Sequence, residues 1–193
     1  HGFRVWYNVQ IPPFNNAKFR QALSFATDRE EFVRAFTKGE GRWGVDGGVP
    51  GIFTEEEWKK IAPYDPEQAK KLLQESGYTG SPIRLEFNYA PTTDQATNDV
   101  LLLQAQFKKV GIDFFLNPQE RPVVSQRQRV GDFHFQMTGT GAGEFEPDFY
   151  TYSYFHSKSP NNNYNMVGAG ADPKLDQLTE ATRREADPAK RKE

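Results

Sequence analysis

Apolar residues near the start of the chain recur at helical spacing, after a short strand-forming run at 3–10. If Asn15 or Asn16 caps a helix, its side-chain oxygen accepts a hydrogen bond from an amide of the first turn. The residues that follow then place one face toward a core, formed by Phe19, Ala22, Leu23 and Ala26. The spacing therefore predicts a helix that packs through a narrow apolar stripe.

A second helix is predicted to begin at Asp28, which can accept a hydrogen bond from the next turn. Glu31 stands three residues later and is expected to reach back to the Asp28 amide, closing a capping box. Gly39 is expected to end this helix, because glycine tolerates the left-handed conformation. Its buried face should contain Phe32, Val33 and Phe36.

The pattern then changes from a helical to a strand period. Asp65-Pro66 supplies a cap and a first-turn proline, and Gly77 is expected to end the helix that they begin. The buried face of that helix should contain Ala69, Leu72 and Leu73. Period-two alternation over 83–89 predicts a half-buried strand.

The remaining pattern alternates helices with strands. In chain order it predicts a long helix, a strand, a short polar helix and a strand at 94–110, 112–116, 123–129 and 133–137. A last helix should begin at Asp172-Pro173 and bury Leu175 and Leu178. The β-α-β-α-β order requires crossover connections. We therefore predict an α/β fold with a mixed sheet, in which parallel pairs are flanked by helices.

Composition narrows the class of protein. The 193 residues fit one domain, and a net charge of −2 gives no overall field for binding nucleic acid. Cysteine is absent, which excludes disulfides and thiolate chemistry. No segment approaches the roughly 20 apolar residues of a membrane helix. The chain is expected to be a fragment of a longer protein, because it begins without Met and ends soon after Asp187-Pro188, which are typical of the cap and first turn of a further helix.

Catalytic and metal-binding patterns are weak. There is no Gly-x-Ser-x-Gly elbow, and only His1, His134 and His156 could serve as imidazole bases. A zinc site needs several converging ligands, and neither HExxH nor calcium-loop spacing occurs. We therefore expect no enzyme activity, no metal and no cofactor.

The glycine-rich stretch 139–143 follows a predicted strand and invites comparison with a dinucleotide-binding loop. That site needs a helix N-terminus next, but the chain continues with Glu144, Glu146 and Asp148, which would repel phosphate. Three alternatives stay open: a binding cleft for a cationic or amphipathic ligand, a structural loop, or a glycosidase carboxylate pair. A run of rings favours the cleft and includes Phe145, Phe149 and Tyr150.

Several motifs stand in the same order as in one known family. The strand, Pro-Phe turn and Arg-x-Ala-Leu helix near the start resemble those of the family 5 extracellular solute-binding proteins. The matching motifs lie at 6–14, 19–23, 26–29, 64–73, 77–78, 106–112, 131–133, 146–149 and 176–178, and the resemblance extends over essentially all 193 residues. These proteins are the substrate receptors of peptide, nickel and oligosaccharide ABC importers.

The resemblance implies a type II periplasmic-binding-protein lobe. Residues 1–193 would form a single C-terminal ligand-binding lobe, truncated at both ends and lacking the N-terminal lobe of the same protein. The expected function is to bind a ligand by lobe closure and deliver it to ABC permease subunits. The full-length protein would be periplasmic or extracellular, held at the membrane by a lipid anchor.

The resemblance also implies which residues contact the ligand. Peptide-binding relatives hold the ligand's α-amino group with an acidic residue a few positions before an Asp-Pro dipeptide. Glu146-Pro147 resembles that dipeptide, and Glu144 is the nearest candidate for the acidic residue. The expected ligand contacts are Glu144, Phe145, Glu146, Phe149 and Tyr150. Trp43, in an earlier glycine-rich stretch at 39–53, is expected to contact the ligand as well. Peptide is preferred, while an oligosaccharide receptor and the ligand-sensing domain of a transcriptional regulator stay open.

Overall fold

A computed structural model describes residues 3–37, 40, 53–79, 85–89, 94–139, 151–153, 155–159, 172–187 and 189–190. Its strands are β1 (Phe3–Tyr7), β2 (Leu85–Tyr89), β3 (Phe114–Pro118) and β4 (Phe135–Gly139). Its longer helices are α1 (Ala17–Ala26), α2 (Arg29–Thr37), α3 (Glu55–Ile61), α4 (Pro66–Glu75), α5 (Asp94–Lys109), α6 (Arg121–Arg129) and α7 (Pro173–Arg184).

The four strands form one mixed sheet in the order β1-β4-β2-β3. Strand β2 runs parallel to both β3 and β4, whereas β1 runs antiparallel to β4. Helix α5 connects β2 to β3, and α6 connects β3 back to β4 past β2. Because such crossovers are right-handed, two that move in opposite directions across the sheet lie on opposite faces. The predicted α/β fold with parallel pairs is confirmed.

The main core lies between one face of the sheet and helices α1, α4 and α5. Side chains of a strand alternate between faces, so Phe135 and Met137 of β4 both point into it. The predicted face of α1 is buried throughout, and Asn16 caps this helix by accepting from the Lys18 and Phe19 amides. The predicted core residues of α4 are also buried, namely Ala69, Leu72 and Leu73, and so are Val100, Leu103 and Phe107 of α5.

The start of α2 is only partly as predicted. The Glu31 amide does donate to Asp28 Oδ1, at 2.9 Å. The Asp28 amide, however, donates to Oε1 of Gln106 on α5, and Glu31 Oε2 accepts from Gln106 Nε2 at 2.8 Å. The predicted return contact from Glu31 is therefore wrong, because a buried amide from another helix occupies that position.

Residues elsewhere in α2 agree less closely with the predicted face. Phe32 is buried, but Val33 and Phe36 are half-buried. The predicted stop at Gly39 lies outside the described residues.

Helix α3 was not predicted, although its start carries a sequence signal. Thr54 Oγ1 accepts from the Glu57 amide at 3.2 Å, while Glu57 Oε2 accepts from the Thr54 amide at 2.7 Å. This is a complete capping box. Trp58 is buried on this helix and packs against Phe53, with the ring centroids 4.7 Å apart.

Helix α7 buries a different face from the predicted one. Leu175 is half-buried, and Leu178 is 46% exposed. Thr179 is buried instead, and its hydroxyl donates to the Asp176 carbonyl. The expectation that Leu178 is buried is wrong, because the described contacts of α7 use its polar residues rather than an apolar stripe.

Alkaline pH should destabilise the fold through Tyr7. Its ring stacks on Phe14 with centroids 5.5 Å apart, and burial raises the pKa of Tyr7 to about 12 against the lowering effects of Arg29 and Arg20. An unfolded tyrosine has a pKa near 10. The fold therefore favours the neutral phenol. This preference contributes at most about 3 kcal/mol to the free energy of unfolding, and the contribution is present below pH 10 and lost as pH rises toward 12.

This effect can be measured by urea unfolding between pH 8 and 12, followed together with phenolate absorbance. Tyr7→Phe should remove this part of the alkaline loss. A Tyr7→Phe protein with the same pH dependence as the wild type would show that Tyr7 is not the group responsible.

Candidate ligand-binding site

The carboxyl ends of the three parallel strands lie at one edge of the sheet. They are Tyr89, Pro118 and Gly139, and the amino end of β1 joins them because Phe3 pairs with Gly139. Open α/β sheets bind ligands at this edge. Segment 140–150, which carries most of the predicted contacts, thus starts where ligands of such sheets are bound.

The predicted site residues themselves lie outside the described residues. These are Glu144, Phe145, Glu146, Phe149 and Tyr150 in segment 140–150, and Trp43 in 41–52. Their assignment as ligand contacts stays a prediction. The structure does describe what borders segment 140–150 on each side, namely strand β4 and residues 151–153.

A row of amide residues crosses the sheet near its ligand edge and was missed by the sequence analysis. Gln136 is in register with Trp6 on one side and Asn88 on the other, and Asn88 is in register with Asn117. Asn117 Oδ1 accepts from Gln119 Nε2 at 2.7 Å. A polar residue between the apolar Phe135 and Met137 was the available signal that this face of β4 differs from the core face.

Gln136 is fully buried on the face opposite the main core. Within the described part of the chain, neither atom of its side-chain amide has a hydrogen-bond partner. Buried amides are ordinarily hydrogen-bonded. This position therefore keeps unused hydrogen-bonding capacity four residues before segment 140–150 begins.

A buried histidine lies beyond the other end of segment 140–150. His156 is 2% exposed, and its ring stacks on Tyr152 with centroids 4.3 Å apart. The Lys158 amide donates to His156 Nδ1 at 3.1 Å, so the proton of the neutral ring is on Nε2. That nitrogen lies 3.3 Å from Glu180 Oε1 and donates to it.

Asp176 of α7 holds the residue next to this histidine. Its Oδ1 accepts from the Ser157 amide at 2.8 Å, and its Oδ2 accepts from the Ser157 hydroxyl at 2.5 Å. Both hydrogen bonds hold the pKa of Asp176 below its ordinary value, and the bond from the Ser157 hydroxyl has the larger effect. The carboxylate is therefore used structurally, and the arrangement leaves the Ser157 hydroxyl oriented toward Asp176 rather than toward His156.

A concave region lies near the start of α2. It has a volume of about 310 Å³ and is lined by Thr27, Asp28, Arg29, Glu30, Lys59, Ala62, Pro63 and Tyr64. The Arg29 guanidinium donates to the carbonyls of Ser24, Thr27 and Ala62. Arg29, a charged residue of the lining, thus holds the neighbouring turns together. We assign no ligand to this concave region.

Metal and membrane features were searched in the same residues. Across the described ranges, no three or more histidine, cysteine or acidic residues converge as metal ligands. Among the helices that the structure describes, none combines the length and apolar character needed to cross a bilayer.

Known proteins of similar sequence and fold were then compared with the chain. Di/tripeptide-binding protein 3 of Pseudomonas aeruginosa is 29% identical over 192 residues, which cover 98% of this chain and 36% of that protein. The chain thus spans about a third of the length of that relative.

Two solved structures share the fold. The ABC transporter-associated periplasmic binding protein DppA from Helicobacter pylori, in complex with peptide STSA, has a TM-score of 0.81 and 22% identity over 98% of this chain and 37% of that one. A mannohexaose-bound periplasmic oligopeptide-binding protein from Thermotoga maritima has a TM-score of 0.79 and 21% identity over 98% and 40%.

These comparisons confirm the predicted fold of type II periplasmic binding proteins. The sequence model of bacterial extracellular solute-binding proteins, family 5 (middle region), matches residues 2–162 of the 193. Since that match covers most of the chain, the chain belongs to the family 5 bacterial extracellular solute-binding proteins.

Proposed function

We propose that this chain is the substrate-binding lobe of an ABC importer receptor for peptides. The observation that carries the proposal is the position of segment 140–150, which starts at the carboxyl end of β4 and carries Glu144 and Glu146. A carboxylate at this edge suits the α-amino group of a peptide, because hydrogen bonds between charged groups are the stronger ones. The di/tripeptide-binding relative supports the same ligand class.

An oligosaccharide is the second candidate ligand. The relative from Thermotoga maritima was solved with mannohexaose bound. The aromatic residues Phe145, Phe149 and Tyr150 could stack on sugar rings if Glu144 made no contact with the ligand. Trp43 would extend the same apolar surface.

The rest of the proposal concerns the complete protein. Closure of this lobe and an N-terminal lobe around the ligand would bury it. The closed receptor would then be recognised by the permease subunits of the importer. Such a receptor would act in the periplasm or outside the cell, held near the membrane by a lipid anchor.

Native mass spectrometry of the complete protein tests the ligand class. A receptor that retains its ligand through purification should show added masses, and these should fragment as peptides. Masses that fragment as hexose units would contradict the peptide proposal and favour the aromatic residues as the main contacts.

Glu144→Gln is expected to weaken binding of a free tripeptide such as tri-alanine about tenfold. The amide keeps an acceptor but loses the charge, and charged hydrogen bonds exceed neutral ones by about 1–1.5 kcal/mol. Titration calorimetry on the complete protein measures the change. N-acetyl-tri-alanine serves as the control ligand and should bind both proteins with similar, weak affinity. Equal weakening for the free and the acetylated peptide would show that Glu144 does not recognise the α-amino group.

A further inference from the structure

We propose that His156, Ser157 and Asp176 form a latch that fixes the downstream end of segment 140–150 on helix α7 and so positions its ligand-binding residues. The inference rests on the proposed function only in that the segment binds ligand. The latch itself is a structural claim about residues that the structure describes. It assigns a positioning role to side chains that the resemblance to the family did not single out.

Two elements distant in sequence are joined by the latch. Asp176 accepts both the amide and the hydroxyl of Ser157, which stands 19 residues earlier. Glu180, one turn further along α7, accepts from His156 Nε2 across 24 residues. The two carboxylates thus hold adjacent residues of 155–159 from one face of α7.

Hydrogen bonds also join residues 151–153 to residues 155–159, so the latch holds these residues as one unit. The His156 amide donates to the Tyr152 carbonyl at 3.1 Å, and the Ser159 amide donates to the His156 carbonyl at 3.0 Å. The Ser159 hydroxyl donates to the Ser153 carbonyl at 2.8 Å. A shift of Ser157 away from Asp176 would therefore carry residues 151–153 with it.

The histidine ring is the buried centre of this unit. It is 2% exposed and stacks on Tyr152, and the Arg183 guanidinium lies 4.2 Å from the centre of the Tyr152 ring. Arg183 belongs to α7, so its contact with Tyr152 is a third one between the helix and this region, after Asp176–Ser157 and Glu180–His156. Both imidazole nitrogens are used, Nδ1 by the Lys158 amide and Nε2 by Glu180.

The latch affects ligand binding because of its position along the chain. Upstream of segment 140–150, β4 is paired on both sides, with β1 and with β2. Downstream, Thr151 follows Tyr150 directly and begins the latched unit. The described residues on each side of the segment are therefore held in place, and we expect this to lower the entropic cost of binding a ligand there.

Asp176→Ala in the complete protein is the decisive variant. We expect hydrogen exchange of amides in 140–159 to accelerate tenfold or more in the absence of ligand, and the affinity for tri-alanine to fall several-fold. Asp172→Ala is the matched control, because it removes another carboxylate from the start of α7, where Asp172 caps the Lys174 and Leu175 amides. The control should leave exchange in 140–159 within about twofold of the wild type.

Two milder variants keep the test decisive if Asp176→Ala folds poorly. Ser157→Ala removes the hydroxyl contact and keeps the amide contact, so its exchange rates should lie between those of the wild type and Asp176→Ala. Asp176→Asn keeps one acceptor oxygen and should restore part of the protection.

The outcomes separate the latch from the proposed function. Unchanged exchange in 140–159 for both Asp176→Ala and Ser157→Ala would overturn the latch. Faster exchange with unchanged tri-alanine affinity would overturn its role in binding. If the wild-type protein binds no tri-alanine, the peptide proposal fails, while the exchange of 140–159 still decides whether the latch fixes the segment.

Discussion

Phe135→Ala is expected to lower the free energy of unfolding by about 3–5 kcal/mol, the usual cost of removing a fully buried phenylalanine. Phe135 is 1% exposed and lies at the centre of the aromatic core. Its ring centroid is 5.0 Å from that of Phe114, 5.6 Å from Phe14 and 6.4 Å from Phe107. Alanine would leave a cavity bordered by the sheet, by Phe107 of α5 and by Phe14 of the turn before α1, which rigid rings cannot refill.

Phe115→Ala is the matched control, since Phe115 lies next to Phe114 on β3 but is 46% exposed. Its removal should cost clearly less, about 1 kcal/mol or below. Urea unfolding followed by circular dichroism measures both variants. Similar losses for Phe135→Ala and Phe115→Ala would contradict the assignment of the core to the α1, α4 and α5 side of the sheet.

Gln106→Leu should cost about 2–3 kcal/mol, although leucine is more apolar and fits the volume. Gln106 is 1% exposed and makes three hydrogen bonds to the start of α2. Its Oε1 accepts from the Asp28 amide at 3.0 Å, and its Nε2 donates to the Asp28 carbonyl at 3.1 Å and to Glu31 Oε2. Leucine would leave the Asp28 amide, the Asp28 carbonyl and Glu31 Oε2 without this buried partner. Each buried group that loses its hydrogen bond costs about 1–3 kcal/mol.

Gln104→Leu supplies the comparison on the same helix. Gln104 Nε2 makes one described hydrogen bond, to the Phe114 carbonyl at 2.7 Å, and its side chain is half-buried. We expect about 1 kcal/mol for this variant in the same urea experiment. If Gln106→Leu is no more damaging than Gln104→Leu, the start of α2 does not depend on the contact with α5.

Local signals in the sequence were sufficient for most helices and strands. Asn16 and Asp65 cap the helices that they were expected to cap, and Gly77 and Gly111 adopt the left-handed conformation just after α4 and α5. The strand predicted at 133–137 overlaps β4, in which Phe135 and Met137 are buried. Such features depend on neighbours within a few residues, so the order of residues along the chain contains them.

The expected location of the candidate site came from the order of strands and helices rather than from local signals. The β-α-β-α-β order implies parallel strands, and parallel strands bring their carboxyl ends to one edge. Segment 140–150 could therefore be selected as the binding segment from its position and its carboxylates. The register that aligns Gln136 with Trp6 and Asn88 was not predictable, because it depends on pairing between strands far apart in the chain.

The sequence by itself thus determined most of the helices, the strands, several of the caps and the membership of a solute-binding family. Only the tertiary structure decided that Gln106 replaces Glu31 at the Asp28 amide, that Leu178 is exposed, and that His156 is buried against α7. The physical reason is distance along the chain. A cap or an apolar stripe is complete within one or two turns, whereas the buried Gln106 amide and His156 imidazole are placed by partners 78 and 24 residues away, once the core has brought them together.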